Sequence, residues 1–278
     1  MNVPPGLAAV VDQLGNLTNE LGARCEGMEA QSHDPFLYSA MLFLRLRTNM
    51  RGYMLLWHDG SYLNADILLR SMVECTICLA AISVMGAGFI EQLRADAASS
   101  LKGAIKVWRD EGFVELVQGG EKHLREVFGG ETGEAAGPLN WKELAEKAGH
   151  PRLYNLHRML SMASAHLTGL SLLRMIDDPS EGSAEGINRL NEASGSYNFA
   201  AMASTVALAC RLQAKIVGTK EFDVPLDEIE TELNAVAGEW APPVCTMEGA
   251  RSAKRTEPFA EVLFPEGAGV PVMERLPR

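Results

Sequence analysis

Four residues at four-residue spacing, Tyr62, Asp66, Arg70 and Glu74, stand out against the apolar stretch that carries them. On a helix such residues share one face. Arg70 then reaches one carboxylate a turn before it and another a turn after it. An unpaired charge in an apolar interior is costly, so these groups must pair with one another or face water. A guanidinium among carboxylates can hold a phosphate or an oxyanion, or it can fix the register of packed helices. The spacing leaves both readings open.

A second group lies further along. Met159, Met162, Ala163, Leu170 and Leu173 form a helical stripe, and His166 falls on it. A histidine there is expected inside the fold, either satisfied by its neighbours or poised to move a proton. Tyr154 and Arg158 sit on an adjoining face. His157, Ser161, Ser164 and Thr168 make a small polar strip that would let another helix come close. Were His166 to meet Arg70 and Glu74 across the interior, the three would form an acid/base and anion-binding set. Tyr62, Asp66, Tyr154, Arg158 and Ser161 would line the ligand.

Other chemistries find less support. Cys75 and Cys78 form a literal C-x-x-C, but no second pair stands at ligand spacing and the motif lies inside an apolar run. They read as soft core residues. The histidines at 33, 58, 123, 150 and 157 show no metalloprotease spacing. Phosphate-binding, dinucleotide-binding and nucleophile-elbow motifs are missing too. The sequence therefore calls for no metal and no cofactor. Arg47 and Arg51 share a helix face and read as a solvated stripe. A net charge of −11 and a pI near 5.1 argue against a broad grip on DNA, while leaving room for a pocket that holds one RNA phosphate.

These residues need helices to position them. Ala, Leu and Met abound and aromatic residues make up only 6%, a bias toward helix over strand. A first helix is expected over Leu7 to Met28. Asp34 then Pro35 open a second, capped and started in the favoured order, which stops at Asp59-Gly60. Ser61 can cap a third, the carrier of the ladder, ending near Gly86. A fourth is expected from Ile90 to about Val117. Residues 118–138, with two Gly pairs and a Pro, read as a break holding at most one short helix. Asn140 and Glu143 resemble a capping box for a short helix. Pro151 starts a long one running to about Ile176, and another covers Ile187 to Val217.

The class is thus all-α: a helical bundle of about five long helices plus short ones, over residues 1–220. Residues 221–278 are expected to hold a short helix and an irregular tail from 241 onward. The longest charge-free apolar run, Cys75–Ile90, is short for a membrane span. Five cysteines, an odd number, and an N-terminus without a basic region point to a cytoplasmic protein with reduced thiols.

The stretch RGYMLLWHDGSYLNADILLRSMVECTICLAAI, with its Leu-Leu-Arg-Ser-x-x-Glu helix, resembles the signature of a prokaryotic family of domains of unknown function. WKELAEKAGHPRLYNLHRMLSMASAHLTG resembles that family's second signature: a Trp, a Tyr, then Ser and His on a long helix. The matching positions are Arg70, Ser71, Glu74, Trp141, Tyr154, Ser161 and His166, and the resemblance spans roughly residues 35–220. A more distant similarity is to HEPN helical domains, many of them metal-independent ribonucleases of defence systems. Their mark is an Arg and a His four to six residues apart on one helix. Here Arg158 and His166 have seven between them, with Arg70 as the other guanidinium on offer.

Two functions follow. One is a non-catalytic module that binds a partner protein or small molecule, with the ladder serving structure. The other is a HEPN-like endoribonuclease: His166 would act as acid/base, Arg70 or Arg158 would hold the phosphate, and Glu74 would orient the arginine. No metal is needed if the RNA 2′-hydroxyl attacks. Neither reading calls for a membrane, and a homodimer suits a helical protein of this kind.

Overall fold

In a computed structural model the chain is described over residues 5–26, 34–128, 138–166, 171 and 183–239. The expected irregular tail from 241 onward, together with Thr168, Leu170 and Leu173, lies outside the described residues. No strand occurs among those described, and the protein is all-α.

Helix α1 covers Pro5–Glu26, α2 Pro35–His58 and α3 Tyr62–Met85. The start of α2 follows from its residues. The Asp34 carboxylate accepts from the Phe36 amide at 2.8 Å, and Pro35 occupies the first turn, where no N–H is required. Gly60, at φ +81°, turns the chain from α2 into α3. Ser61 precedes α3 but does not cap it. Its hydroxyl bonds the Asp59 carboxylate at 2.9 Å instead.

Helix α3 is the hub, packing on α2, α4, α6, α7 and the long helix near the C-terminus. Leu69, Met72, Val73, Ile77, Leu79 and Ile82 are all buried on it. Each such side chain contributes about 1.5–3 kcal/mol of burial, which makes this helix the main apolar anchor of the fold. By length and composition, α3 and Ser194–Val217 could each cross a membrane, but most of each is buried inside the protein, as in core helices.

The fourth helix differs from expectation. Helix α4 covers Ala87–Asp110 and stops at Gly112, whose φ is +79°. Helix α5 follows over Val114–Phe128, through the segment whose glycines suggested a break. Gly120 is tolerated because it is a contact point: a Cβ there would come within 2.8 Å of Ile105 and 3.0 Å of Trp108. Packing against α4 outweighs the roughly 1 kcal/mol helix cost of a glycine.

Helix α6 covers Trp141–Lys147, with Asn140 accepting from the Glu143 amide at 3.2 Å. Helix α7 covers Pro151–Leu160. It does not run on regularly. Ser161–Ala165 forms a π-turn, and His166 after it is extended (φ −115°, ψ 145°). Helix α8 covers Ser183–Val217 and α9 Asp223–Glu239. Helix α9 packs on α1 and α8, clamped by Arg211, which pairs with Asp227 at 2.8 Å and with Glu230. Arg47 and Arg51 are not a free stripe. Arg47 crosses α1 at Gly22 to reach Glu26, and Arg51 donates to Asn19 at 2.6 Å.

Candidate functional site

The ladder on α3 divides into two polar groups that face different neighbours. Asp66 is only 1% exposed. It accepts from Ser164 Oγ at 3.0 Å and Asn198 Nδ2 at 2.7 Å, and so ties α3 to the π-turn and to α8. Carboxylates this deep stay in a fold only when hydrogen-bonded. Ser164 belongs to the polar strip expected to admit another helix, and α3 is that helix. Tyr62, half-buried, sets its ring edge-on to Trp57 at 6.0 Å.

One turn further along, Arg70 Nη2 pairs with Glu74 Oε1 at 3.1 Å. The same oxygen lies 3.0 Å from His157 Nε2. The imidazole is held between two aromatic rings, Trp141 at 5.5 Å and Tyr154 at 6.3 Å, both close to parallel with it. Ser161 Oγ donates to the His157 carbonyl at 2.7 Å. On the α2 side, Ser71 Oγ accepts from Asn49 Nδ2 at 3.0 Å and Arg45 Nη2 at 3.3 Å. One cluster thus draws on α2, α3, α6, α7 and the π-turn.

Its electrostatics follow from these contacts. Partial burial pushes the Glu74 carboxyl up. The His157 hydrogen bond and the charge of Arg70, with His157 and Arg45 behind them, more than reverse this, so it lies below its ordinary value. An ionised Glu74 accepts, so His157 donates from Nε2. Its Nδ1 is buried with no hydrogen-bond partner, as is Arg70 Nε. The His157 side chain is 9% exposed, against 27% for Arg70 and 23% for Glu74. The ion pair is more open to solvent than the ring, whose Nδ1 is covered.

The candidate residues therefore separate. Arg70 and Glu74 meet as expected, and Tyr154 and Ser161 border the same cluster. Asp66 is held by Ser164 and Asn198. Arg158 is exposed on α7. His166 is a correction: its stripe places it inside the fold, but it is exposed. Its carbonyl accepts from Ser171 Oγ at 3.0 Å. The π-turn is the reason, because the stripe that included His166 presumes an unbroken α-helix; Met162 on that stripe is exposed as well. His157 holds the place assigned to His166. Its signal in the sequence was the strip it shares with Ser161 and Ser164, four and seven residues on. Asn198 had no such signal.

Of the cysteines, Cys25, Cys75, Cys78 and Cys210 are buried free thiols. Burial raises all four, Cys75 to about 11 and Cys210 to about 12. Such thiols are poor nucleophiles and poor metal ligands. No group of three or more His, Cys, Asp or Glu among the described residues is arranged to hold a metal ion.

No curated protein and no solved structure matches the chain. A family match does exist, over residues 36–183, more than half of the chain, and it takes in both the α3 ladder and the His157 helix. The chain belongs to the Family of unknown function (DUF5677).

Proposed function

We propose that this protein is a non-catalytic helical module that binds a partner protein or small ligand, and that the Arg70–Glu74–His157 cluster joins α3 to α6 and α7. The observation that carries this reading is the state of the histidine. An acid/base histidine needs one ring nitrogen free to meet the reacting group. Here Nε2 is engaged by Glu74, and Nδ1 is buried beneath the surface. The low carboxyl of Glu74 agrees, since an ionised, doubly engaged carboxylate is a fixed partner rather than a proton donor. The four buried free thiols suit a cytoplasmic setting.

A second reading, a HEPN-like metal-independent endoribonuclease, would draw on Arg158 and His166. Both are exposed, on α7 and just past a π-turn, a feature frequent at functional sites. Wild type, His157→Ala and His166→Ala, expressed in bacteria, separate the two. The binding-module reading expects normal growth and intact total RNA in all three. RNA cleavage by the wild type that vanishes in either variant would overturn it and identify the histidine that acts.

A further inference from the structure

Helices α2 and α3 use their hydroxyl groups in two ways. Thr48 on α2 and Thr76 on α3 turn theirs back onto the helix, donating to the Leu44 carbonyl at 3.0 Å and the Met72 carbonyl at 2.9 Å. Ser71 does otherwise. Its oxygen accepts from Asn49 Nδ2 at 3.0 Å and from Arg45 Nη2 at 3.3 Å, both across the α2–α3 seam. Those two donors occupy its lone pairs, and its own proton remains for a further acceptor. Close packing fixes the seam: a Cβ on Gly52 of α2 would come within 2.8 Å of Leu68 on α3.

Donors exceed acceptors at this place. The guanidiniums of Arg45 and Arg70 both act on Glu74, the carboxylate of the cluster, so one positive charge is left over on a chain whose net charge is −11. His157 spends its donor on the same carboxylate. Asp96 on α4 overlaps the field of Arg45 at Cys78, and it accepts from the Leu139 amide at 2.9 Å. Arg45 is exposed, and Asn49, Arg70 and Ser71 are half-buried, so solvent reaches all four. Arg70 Nε has no hydrogen-bond partner. Positioned donors with an excess of positive charge are what an anion needs.

Within the reading of the protein as a binding module, on which this step rests, we propose that Arg45, Asn49, Ser71 and Arg70 bind a small oxyanion of the phosphate type on the α2–α3 face. Arg45 supplies the charge that meets it, Asn49 and Ser71 add neutral donors, and Arg70, held by Glu74, adds its field. A carboxylate offers two oxygens in one plane and is satisfied by a single guanidinium fork. Donors from several side chains on two helices suit the tetrahedral oxygens of a phosphate.

Isothermal titration calorimetry of the full chain tests this, with inorganic phosphate and then acetate as titrants at matched ionic strength. The wild type is expected to bind phosphate with a Kd on the order of 1 mM or tighter, and acetate at least about tenfold more weakly. Arg45→Gln should weaken phosphate binding at least about tenfold and Ser71→Ala about three- to tenfold, both with unchanged helical circular dichroism. Arg51→Gln removes another exposed arginine of α2, one engaged by Asn19, and should leave binding unchanged. A wild type that binds no phosphate overturns the proposal. So does binding that is indifferent to Arg45→Gln and Ser71→Ala, or acetate that binds as tightly. RNA cleavage that depends on a histidine, together with phosphate binding that depends on Arg45, would overturn the module reading and leave the anion site standing.

Discussion

Removing the carboxylate of Glu74 should cost the fold more than its partial exposure suggests. Glu74→Ala strips Arg70 Nη2 and His157 Nε2 of their shared acceptor, while Arg70 Nε and His157 Nδ1 already lack partners. Breaking a fully buried pair costs about 3–5 kcal/mol; Arg70 retains enough exposure to recover part of its hydration, which brings the expectation to about 2–3 kcal/mol. At roughly 2–4 °C per kcal/mol for a chain of this size, Tm should fall by about 4–12 °C. Glu74→Gln keeps the volume and a hydrogen bond to His157 but not the charge, and should cost only about 1 kcal/mol. The control is Glu146→Ala, which removes an exposed pair with Lys142 worth at most about 0.5 kcal/mol. Acidity supplies a second axis. The Glu74 carboxyl is lower in the folded protein than in the unfolded chain, so its contribution is present above the unfolded value, near pH 4.3, and is lost as pH falls through the lower folded one. The gap between wild type and Glu74→Gln should hold from neutrality to about pH 5 and close in stronger acid. Thermal denaturation followed by circular dichroism measures all of this. A Glu74→Ala variant as stable as the Glu146→Ala control, or a gap that persists in acid, would refute the account.

Two further expectations are simpler to check. Asp66→Ala leaves Ser164 and Asn198 without their acceptor in the interior and should lower unfolding stability by about 3–5 kcal/mol in urea titrations, with Asp66→Asn losing less; equal loss in both would show that the contribution is not the charge. In a Cys245→Ser background, Ellman's reagent should find no reactive thiol in the native protein and four after denaturation, because burial raises every remaining thiol; native labelling of any of them contradicts that burial.

Most of the fold is legible in local chemistry. Asp34 with Pro35, Asp59-Gly60, Asn140 with Glu143 and Pro151 each fix a helix boundary through a backbone group that must be satisfied or a dihedral that must be allowed. What escaped depends on contacts distant in sequence. The helix through Gly119 and Gly120 exists because Ile105 and Trp108 lie against it, and no local propensity reports that. The cluster is half legible for the same reason. Arg70 and Glu74 meet by periodicity within one helix. Their histidine comes from 83 residues away, and choosing between His157 and His166 required knowing that the helix changes its winding between them.

That change of winding has a consequence of its own. A π-turn carries one residue more than an α-turn closed by the same hydrogen-bonded scaffold. Ser161–Ala165 therefore acts as a phase shifter: Met162 and His166, which an uninterrupted α-helix would keep on one stripe with Met159, reach solvent instead. In this region the length of the chain, counted residue by residue, governs which side chains the protein shows to solvent as much as their identities do.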